Sequence, residues 1–218
     1  MVAFDDENPL TLPGPLNLRQ AYFEESLLDA IDFECFMSAC PQLETLSVHW
    51  GQAVVGDSEI DWTGIGAALR QHGKALRTLT LKPEEAFCLD GLDDAPGPLG
   101  DLTALESLRM LSLPRDVRVR HPEHLDDDWL ANRLPVSLKT LRLTGGADDE
   151  DNDVAALEAQ LSRVMADTRF ASLSTIRIQN TEEGTDIDRR GSLLEEVQGL
   201  GWDASESNRY WLVLKKAS

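Results

Sequence analysis

The sequence has few cysteines, few basic residues and no long apolar run. Its 3 cysteines, Cys35, Cys40 and Cys88, cannot all pair within one chain. This predicts reduced thiols and an intracellular protein, cytoplasmic or nuclear. No apolar run approaches the roughly 20 residues of a membrane span. The N-terminal stretch also lacks the basic and then apolar pattern of a signal peptide.

Basic residues are scarce because Lys and Arg number 20 against 39 Asp and Glu, which gives a net charge of -19. Nucleic-acid backbones and anionic membrane surfaces attract basic proteins, so this balance disfavours both as general partners. Hydrophobic residues make up 42% of the chain and charged residues 27%, which is typical of a folded protein rather than a disordered one.

Motifs of catalysis and metal binding are also missing. The chain has no P-loop, no GxGxxG and no GxSxG pattern. His121 and His124 flank Pro-Glu without further ligands nearby, and the acidic run 148–153 lacks the glycine and glutamate positions of a calcium loop. The sequence therefore predicts no catalytic residue, no cofactor and no metal.

A repeated apolar pattern runs through almost the whole chain. Six segments share a pattern of six positions, with Leu at the first, Leu or Ile at the fourth and an aliphatic residue at the sixth. The sixth segment lacks the leucine at the first position. They are 43–48, 76–81, 108–113, 138–143, 173–178 and 209–214, with a weaker segment at Leu16-Asn17-Leu18. The final apolar residues of the seven, from Leu18 to Leu214, are 30 to 36 residues apart. Such a period is typical of repeat proteins.

Each repeat is predicted to contain one strand and, in most cases, one helix. The alternation at the end of each segment indicates a short strand with one face inward. Helices are expected at 25–38, 61–70, 128–134, 151–166 and near 192–200, where apolar residues recur at helical spacing. Units of this kind bury their apolar faces by stacking, which predicts one domain over 16–218 after a short acidic lead, 1–15.

The repeats resemble those of leucine-rich-repeat proteins, in particular the intracellular fungal kind. The phrase Leu134-Pro-Val-Ser-Leu138-Lys-Thr-Leu141 is similar to one common in that group, as is Leu102-Thr-Ala-Leu105 followed by Leu108. The resemblance implies an α/β solenoid of about six to seven repeats, with a curved parallel sheet on the concave side and helices outside. Many fungal proteins of this kind carry an F-box that docks onto a cullin-type ubiquitin ligase, and no such stretch occurs here.

In the fold that the resemblance implies, residues flanking the inward leucines project from the concave face. Three positions on each of seven strands give 21, and none is acidic, although a rate of 39 in 218 would give about four. Strands disfavour acids in general, but this does not account for Arg142 and Arg177 at the same position in adjacent repeats. The candidate partner-binding residues are Arg19, His49, Lys82, Arg142, Arg177, Gln179 and Lys215.

The function expected from this face is non-catalytic protein binding. A protein, or an acidic or phosphorylated peptide segment, would bind there, with Arg142 and Arg177 as bidentate donors. Trp50, Trp62 and Trp129 are alternative anchors.

Two other functions remain open. One is substrate recognition for a cullin-type ubiquitin ligase through a missing or separate F-box, with the ligase adaptor as a partner, and the other is a structural role in a larger assembly. Few residues precede the first predicted strand or follow the last, so the end strands of the sheet are expected to be thinly covered. Because exposed strand edges pair with other chains, we predict that the chain belongs to a longer repeat protein or to a complex.

Overall fold

The protein is an α/β structure built on one eight-stranded sheet in its described part. The computed structural model describes residues 14–51, 60–83, 99–114, 128–144, 151–179, 191–206 and 211–217. The strands are β1 (Gln20–Ser26), β2 (Thr45–Trp50), β3 (Thr78–Pro83), β4 (Met110–Pro114), β5 (Thr140–Thr144), β6 (Thr175–Gln179), β7 (Trp202–Glu206) and β8 (Trp211–Lys216). Their order in the sheet is β1-β2-β3-β4-β5-β6-β8-β7.

The aliphatic residues of successive segments form continuous buried rows across this sheet. Leu46, Leu79, Leu111, Leu141 and Ile176 are register partners on adjacent parallel strands, and each is fully buried. A one-residue slip would move each of these side chains to the other face of the sheet, so the burial of the rows fixes the register. The inward faces expected of the strands in these five segments therefore lie in one row across the sheet.

Five α-helices lie in the described part of the chain. They are α1 (Ala30–Ala39), α2 (Trp62–His72), α3 (Trp129–Arg133), α4 (Asp151–Ala166) and α5 (Gly191–Gly199). Helix α4 has the predicted bounds, and α2 and α3 lie within two residues of theirs. No helix among the described residues combines the length and the hydropathy of a membrane span.

The helix ends follow from local hydrogen-bonding chemistry. The carboxylates of Asp29 and Asp61 accept hydrogen bonds from the Asp32 and Gly64 amides at 2.7 and 2.8 Å, which caps the first turns of α1 and α2. Gly201, two residues beyond α5, has φ +75°, a conformation that ends helices and that glycine adopts without strain.

One backbone carbonyl at the start of each parallel strand accepts hydrogen bonds from two amides at the start of the next parallel strand, and we call it a shared carbonyl. The Glu44 carbonyl accepts from the amides of Arg77 and Thr78, and the Arg77 carbonyl accepts from those of Arg109 and Met110, at 2.7 to 3.0 Å. The same pattern begins at Arg19 and continues through Arg109 and Lys139. Equivalent residues of successive segments are thereby held one strand spacing apart.

The predicted first strand at Leu16–Leu18 is wrong. Strand β1 begins at Gln20, and its inward residues Ala21 and Phe23 pair with Leu46 and Val48 of β2. Leu18 therefore occupies the place of the first leucine of the pattern, not the last. The helix expected from residue 25 begins at Ala30, because Glu25 and Ser26 still belong to β1.

Strand β1 ends in an irregularity at the edge of the sheet. Its register shifts between Phe23 and Ser26, and Glu25 has φ +49°, which is uncommon for a residue with a side chain. Gly51 packs against this bulge, since a Cβ at Gly51 would lie 2.8 Å from the Glu25 Cα. A bulge and the adjacent acids Glu24 and Glu25 oppose further pairing at this edge.

The C-terminal end departs from the expected all-parallel sheet. The segment that ends at Leu214 forms β8, but β8 runs antiparallel to β6, with Ile176 opposite Leu214. Strand β7, which was not predicted, forms a hairpin with β8 and is the outermost strand. Leu214 nevertheless continues the buried row, because side chains alternate faces in the same way in either strand direction.

Candidate functional site

The face of the sheet opposite the aliphatic rows carries mostly polar side chains, and we call it the polar face. On β2 to β6 it holds three residues for each strand, or 15 positions without a carboxylate. These residues are Thr45, Ser47, His49, Thr78, Thr80, Lys82, Met110, Ser112, Pro114, Thr140, Arg142, Thr144, Thr175, Arg177 and Gln179. Acids occur only on the outer strands of this face, as Glu24 on β1 and Asp203 on β7.

Four of the seven predicted site residues come together near the C-terminal hairpin. Arg142 on β5 and Arg177 on β6 are register partners, so their Cα atoms are about one strand spacing, roughly 5 Å, apart. On β8, Lys215 lies opposite Thr175, and Trp211 lies opposite Gln179. Together, Arg142, Arg177, Gln179, Trp211 and Lys215 form what we call the arginine cluster.

A cation–π contact orders one side of the arginine cluster. The Arg142 guanidinium carbon lies 4.2 Å from the centroid of a Trp211 ring, within the range of an attractive interaction. Because β6 separates β5 from β8, the two side chains together span the intervening strand to make this contact. Trp211 therefore restrains the Arg142 side chain while that side chain retains substantial exposure.

Among the described residues, the positive charges of the arginine cluster have one acidic neighbour, because Asp203 of β7 is the register partner of Lys215 on the same face. Burial lowers the pKa of Arg142 from its ordinary value, and the positive charge of Arg177 lowers it further. Arginine nonetheless keeps its charge at neutral pH. Within the described ranges, no carboxylate lies within the 4.0 Å ion-pair distance of Arg142, Arg177 or Lys215. Among the described residues, Arg142 and Arg177 therefore present two positive charges without a carboxylate as register partner, and Lys215 presents a third opposite Asp203.

The other three predicted residues lie apart from the arginine cluster. Arg19 precedes β1 and forms an ion pair with Glu44. The Nδ1 atom of His49 lies 3.0 Å from a Glu24 carboxylate oxygen. Lys82 is exposed and in register with His49. It lies on β3, and β4 separates that strand from β5, which carries Arg142. The sheet therefore divides the predicted site into one compact cluster and three dispersed residues.

A second set of basic residues lines the edge where the parallel strands begin. Arg77, Arg109 and Lys139 immediately precede β3, β4 and β5, and all three are exposed. The shared carbonyls described above hold these three residues on successive strands. Arg77 contacts Glu44 at 3.5 Å. Of these three residues, only Lys139 precedes a strand of the arginine cluster, because Arg142 lies on β5 and Arg77 and Arg109 precede β3 and β4.

Sequence reasoning missed several residues on this face. Tyr22, which is 62% exposed, and Glu24 were overlooked because the first strand was placed too early. The alternation in Ala21-Tyr22-Phe23 was the signal that could have located them. Asp203 was missed along with β7.

Two of the alternative tryptophan anchors are unsuited to binding. Trp50 and Trp62 are buried, with ring centroids 5.5 Å apart in an edge-to-face contact, so they belong to the core. The side chain of Trp129 lies outside the described residues.

The chemistry available at the arginine cluster is anion binding through guanidinium and ammonium donors. In the described part of the chain, no group of three or more His, Cys, Asp or Glu residues is arranged to hold a metal ion. His121, His124 and residues 148–150 of the acidic run lie outside that part, as does Cys88. Cys35 and Cys40 are free thiols, and burial raises the pKa of Cys40.

No protein-family model matches this chain, and no curated protein is significantly similar to it.

Proposed function

We propose that this chain is a leucine-rich-repeat module that binds an extended acidic segment of another protein on its polar face and catalyses no reaction itself. Six parallel strands in chain order, the in-register aliphatic rows and the intervals of the repeat support the proposed architecture. In that architecture, the polar face is the concave surface of the solenoid.

The observation that carries the functional proposal is the arginine cluster on a protein of net charge -19. Arg142 and Arg177 lie in register on adjacent strands without an ion pair among the described residues, so a bound anion would relieve their mutual repulsion. The general negative charge of the molecule opposes approach by nucleic acid or an anionic membrane. A short acidic peptide segment can instead reach the cluster with only a few charges of its own.

Selection from a library of random unphosphorylated peptides tests the proposal. The selected peptides are expected to be rich in Asp and Glu. The double substitution Arg142→Ala plus Arg177→Ala should weaken their binding by more than about tenfold, since one hydrogen bond to a charged group contributes about 1.5–3 kcal/mol. Isothermal titration at fixed ionic strength measures the loss.

A matched control removes the same charge from the helical layer. Lys74→Ala plus Arg163→Ala also changes the net charge by two, but these residues lie in the 3₁₀ helix after α2 and in α4. This double variant should retain nearly full affinity. Selection of peptides without acidic residues would contradict the proposal, as would equal losses in the two double variants.

A further inference from the structure

We propose that the arginine cluster recognises a phosphate monoester in preference to a carboxylate, so that the preferred ligand is a phosphorylated polypeptide segment. This inference rests on the proposed function, because it assigns the ligand chemistry of the same surface. The observations that carry it are the number, charge and arrangement of the donors around Arg142.

The charge of the arginine cluster matches a dianion better than a monoanion. Arg142 and Arg177 supply two positive charges on adjacent strands, whereas the charge of Lys215 lies opposite Asp203 of β7. One Asp or Glu carboxylate brings a single negative charge and two oxygens, which would leave half of the arginine charge unbalanced. A phosphate monoester carries about -1.5 to -2 charges at pH 7 and three acceptor oxygens, which balances both guanidinium groups and gives each of them oxygens to bind.

The identity of the donors also favours phosphate. Guanidinium groups bind phosphate through two parallel N–H donors, and two arginines on neighbouring strands can approach one phosphate from adjacent positions. Lys215 lies opposite Thr175, two residues before Arg177 on the same face of β6, so its ammonium is a diagonal neighbour of Arg177. The two arginines thus share one patch of the sheet, and Lys215 lies at its border.

Trp211 acts as a positioning residue in this arrangement. The indole lies against the Arg142 guanidinium at 4.2 Å, so it restrains that group before a ligand arrives. The Arg142 side chain stays exposed beside the ring, and a guanidinium has five N–H donors, so donors that do not contact the indole are available for phosphate oxygens. Preorganisation of this kind raises affinity by lowering the entropy lost on binding.

A phosphorylated protein segment is favoured over other phosphate sources by the charge of the whole molecule. Nucleic acids and phospholipid surfaces present many phosphates at once, and a protein of net charge -19 repels such extended polyanions. A peptide with one phosphate presents the preferred group without that long-range cost.

Three pooled peptide libraries with random flanking residues test the inference, with phosphoserine, glutamate or serine fixed at the centre. Fluorescence anisotropy with the full chain at constant ionic strength should show at least tenfold tighter binding of the phosphoserine pool than of the glutamate pool. The serine pool should bind most weakly. Equal affinity for the phosphoserine and glutamate pools would overturn the inference while leaving the proposed function standing. Equal affinity for all three pools would overturn both.

Substitutions within the arginine cluster test the assigned roles. Arg142→Lys plus Arg177→Lys keeps the charge but removes the paired donors, so the preference for phosphoserine over glutamate should fall at least severalfold. Trp211→Ala should lower the same preference, and Trp211→Phe should restore most of it, because phenylalanine also binds cations through its ring. An unchanged preference in the lysine variant would overturn the role of the arginines. An unchanged preference in Trp211→Ala, or no recovery in Trp211→Phe, would overturn the positioning role.

Discussion

Replacement of Gly66 by alanine is expected to destabilise the protein, although it improves helix propensity. Gly66 lies inside α2 and is buried against the backbone of Leu99. A Cβ at this position would lie 2.8 Å from the Leu99 carbonyl carbon and within van der Waals overlap of the carbonyl oxygen. That oxygen also accepts a hydrogen bond from Arg70 Nη1 at 3.3 Å. The Leu99 backbone must therefore move to admit the methyl group.

The gain in helix propensity must be compared with the cost of the added methyl group to decide whether Gly66→Ala stabilises or destabilises the protein. Alanine is favoured over glycine in a helix interior by about 1 kcal/mol. Inserting a methyl group into a packed site costs typically about 1–3 kcal/mol, and loss of the Arg70 hydrogen bond adds about 0.5–1.5 kcal/mol. The net loss in the free energy of unfolding should be about 0.5–3.5 kcal/mol. For a chain of this size, each kcal/mol lowers the Tm by about 2–4 °C.

Urea denaturation followed by circular dichroism measures the loss, with Gly199→Ala as the matched control. Gly199 ends α5, and a Cβ there would have no heavy atom of the described residues within 4 Å apart from its chain neighbours and the backbone of its own helix. Gly199→Ala should therefore leave the free energy of unfolding unchanged or raise it by a few tenths of a kcal/mol, up to about 1 kcal/mol. If Gly66→Ala stabilised the protein as much as Gly199→Ala does, the packing of α2 on Leu99 would be refuted.

Two further predictions concern the core and the dependence of stability on pH. Leu111→Ala should lower the free energy of unfolding by about 2–5 kcal/mol because Leu111 is fully buried, whereas Met110→Ala, on the polar face, should change it far less. Similar urea midpoints for the two variants would contradict the assignment of faces. Hydrogen bonds from the Arg169 side chain and backbone lower the pKa of Asp167 in the folded state. Its contribution to stability is thus present above the unfolded pKa of about 4 and is lost as the pH falls through the folded pKa. The difference in urea midpoint between wild type and Asp167→Asn should shrink from pH 7 to pH 3, and a constant difference would exclude this role.

The regular central strands were predictable because their inward residues repeat with few exceptions. Leu79, Leu111 and Leu141 follow the same pattern, so their strands and shared face could be read from spacing alone. Strand β1 was misplaced because Ala21 and Phe23 replace the aliphatic residues at the inward positions. The nearest leucine, Leu18, was therefore assigned to the wrong place in the repeat.

Strand direction at the C-terminus could not be obtained from the same pattern. Alternation places Leu212 and Leu214 inward whether β8 runs parallel or antiparallel to β6, so local spacing does not distinguish the two. The hairpin brings Trp211 opposite Gln179 and within reach of Arg142. The paired arginines were therefore predictable from the sequence, but the aromatic ring that orders one of them depends on topology.

The shared carbonyls at the strand entries have a consequence for how the molecule assembles. Every parallel pairing joins segments that are consecutive in the chain, and each entry carbonyl binds only the segment that follows it. Ordering can therefore begin at any adjacent pair and spread outward by one neighbour at a time, as expected when interactions link only nearest units. Extra residues inserted between two strands would lengthen one connection without displacing the hydrogen bonds of any other pair.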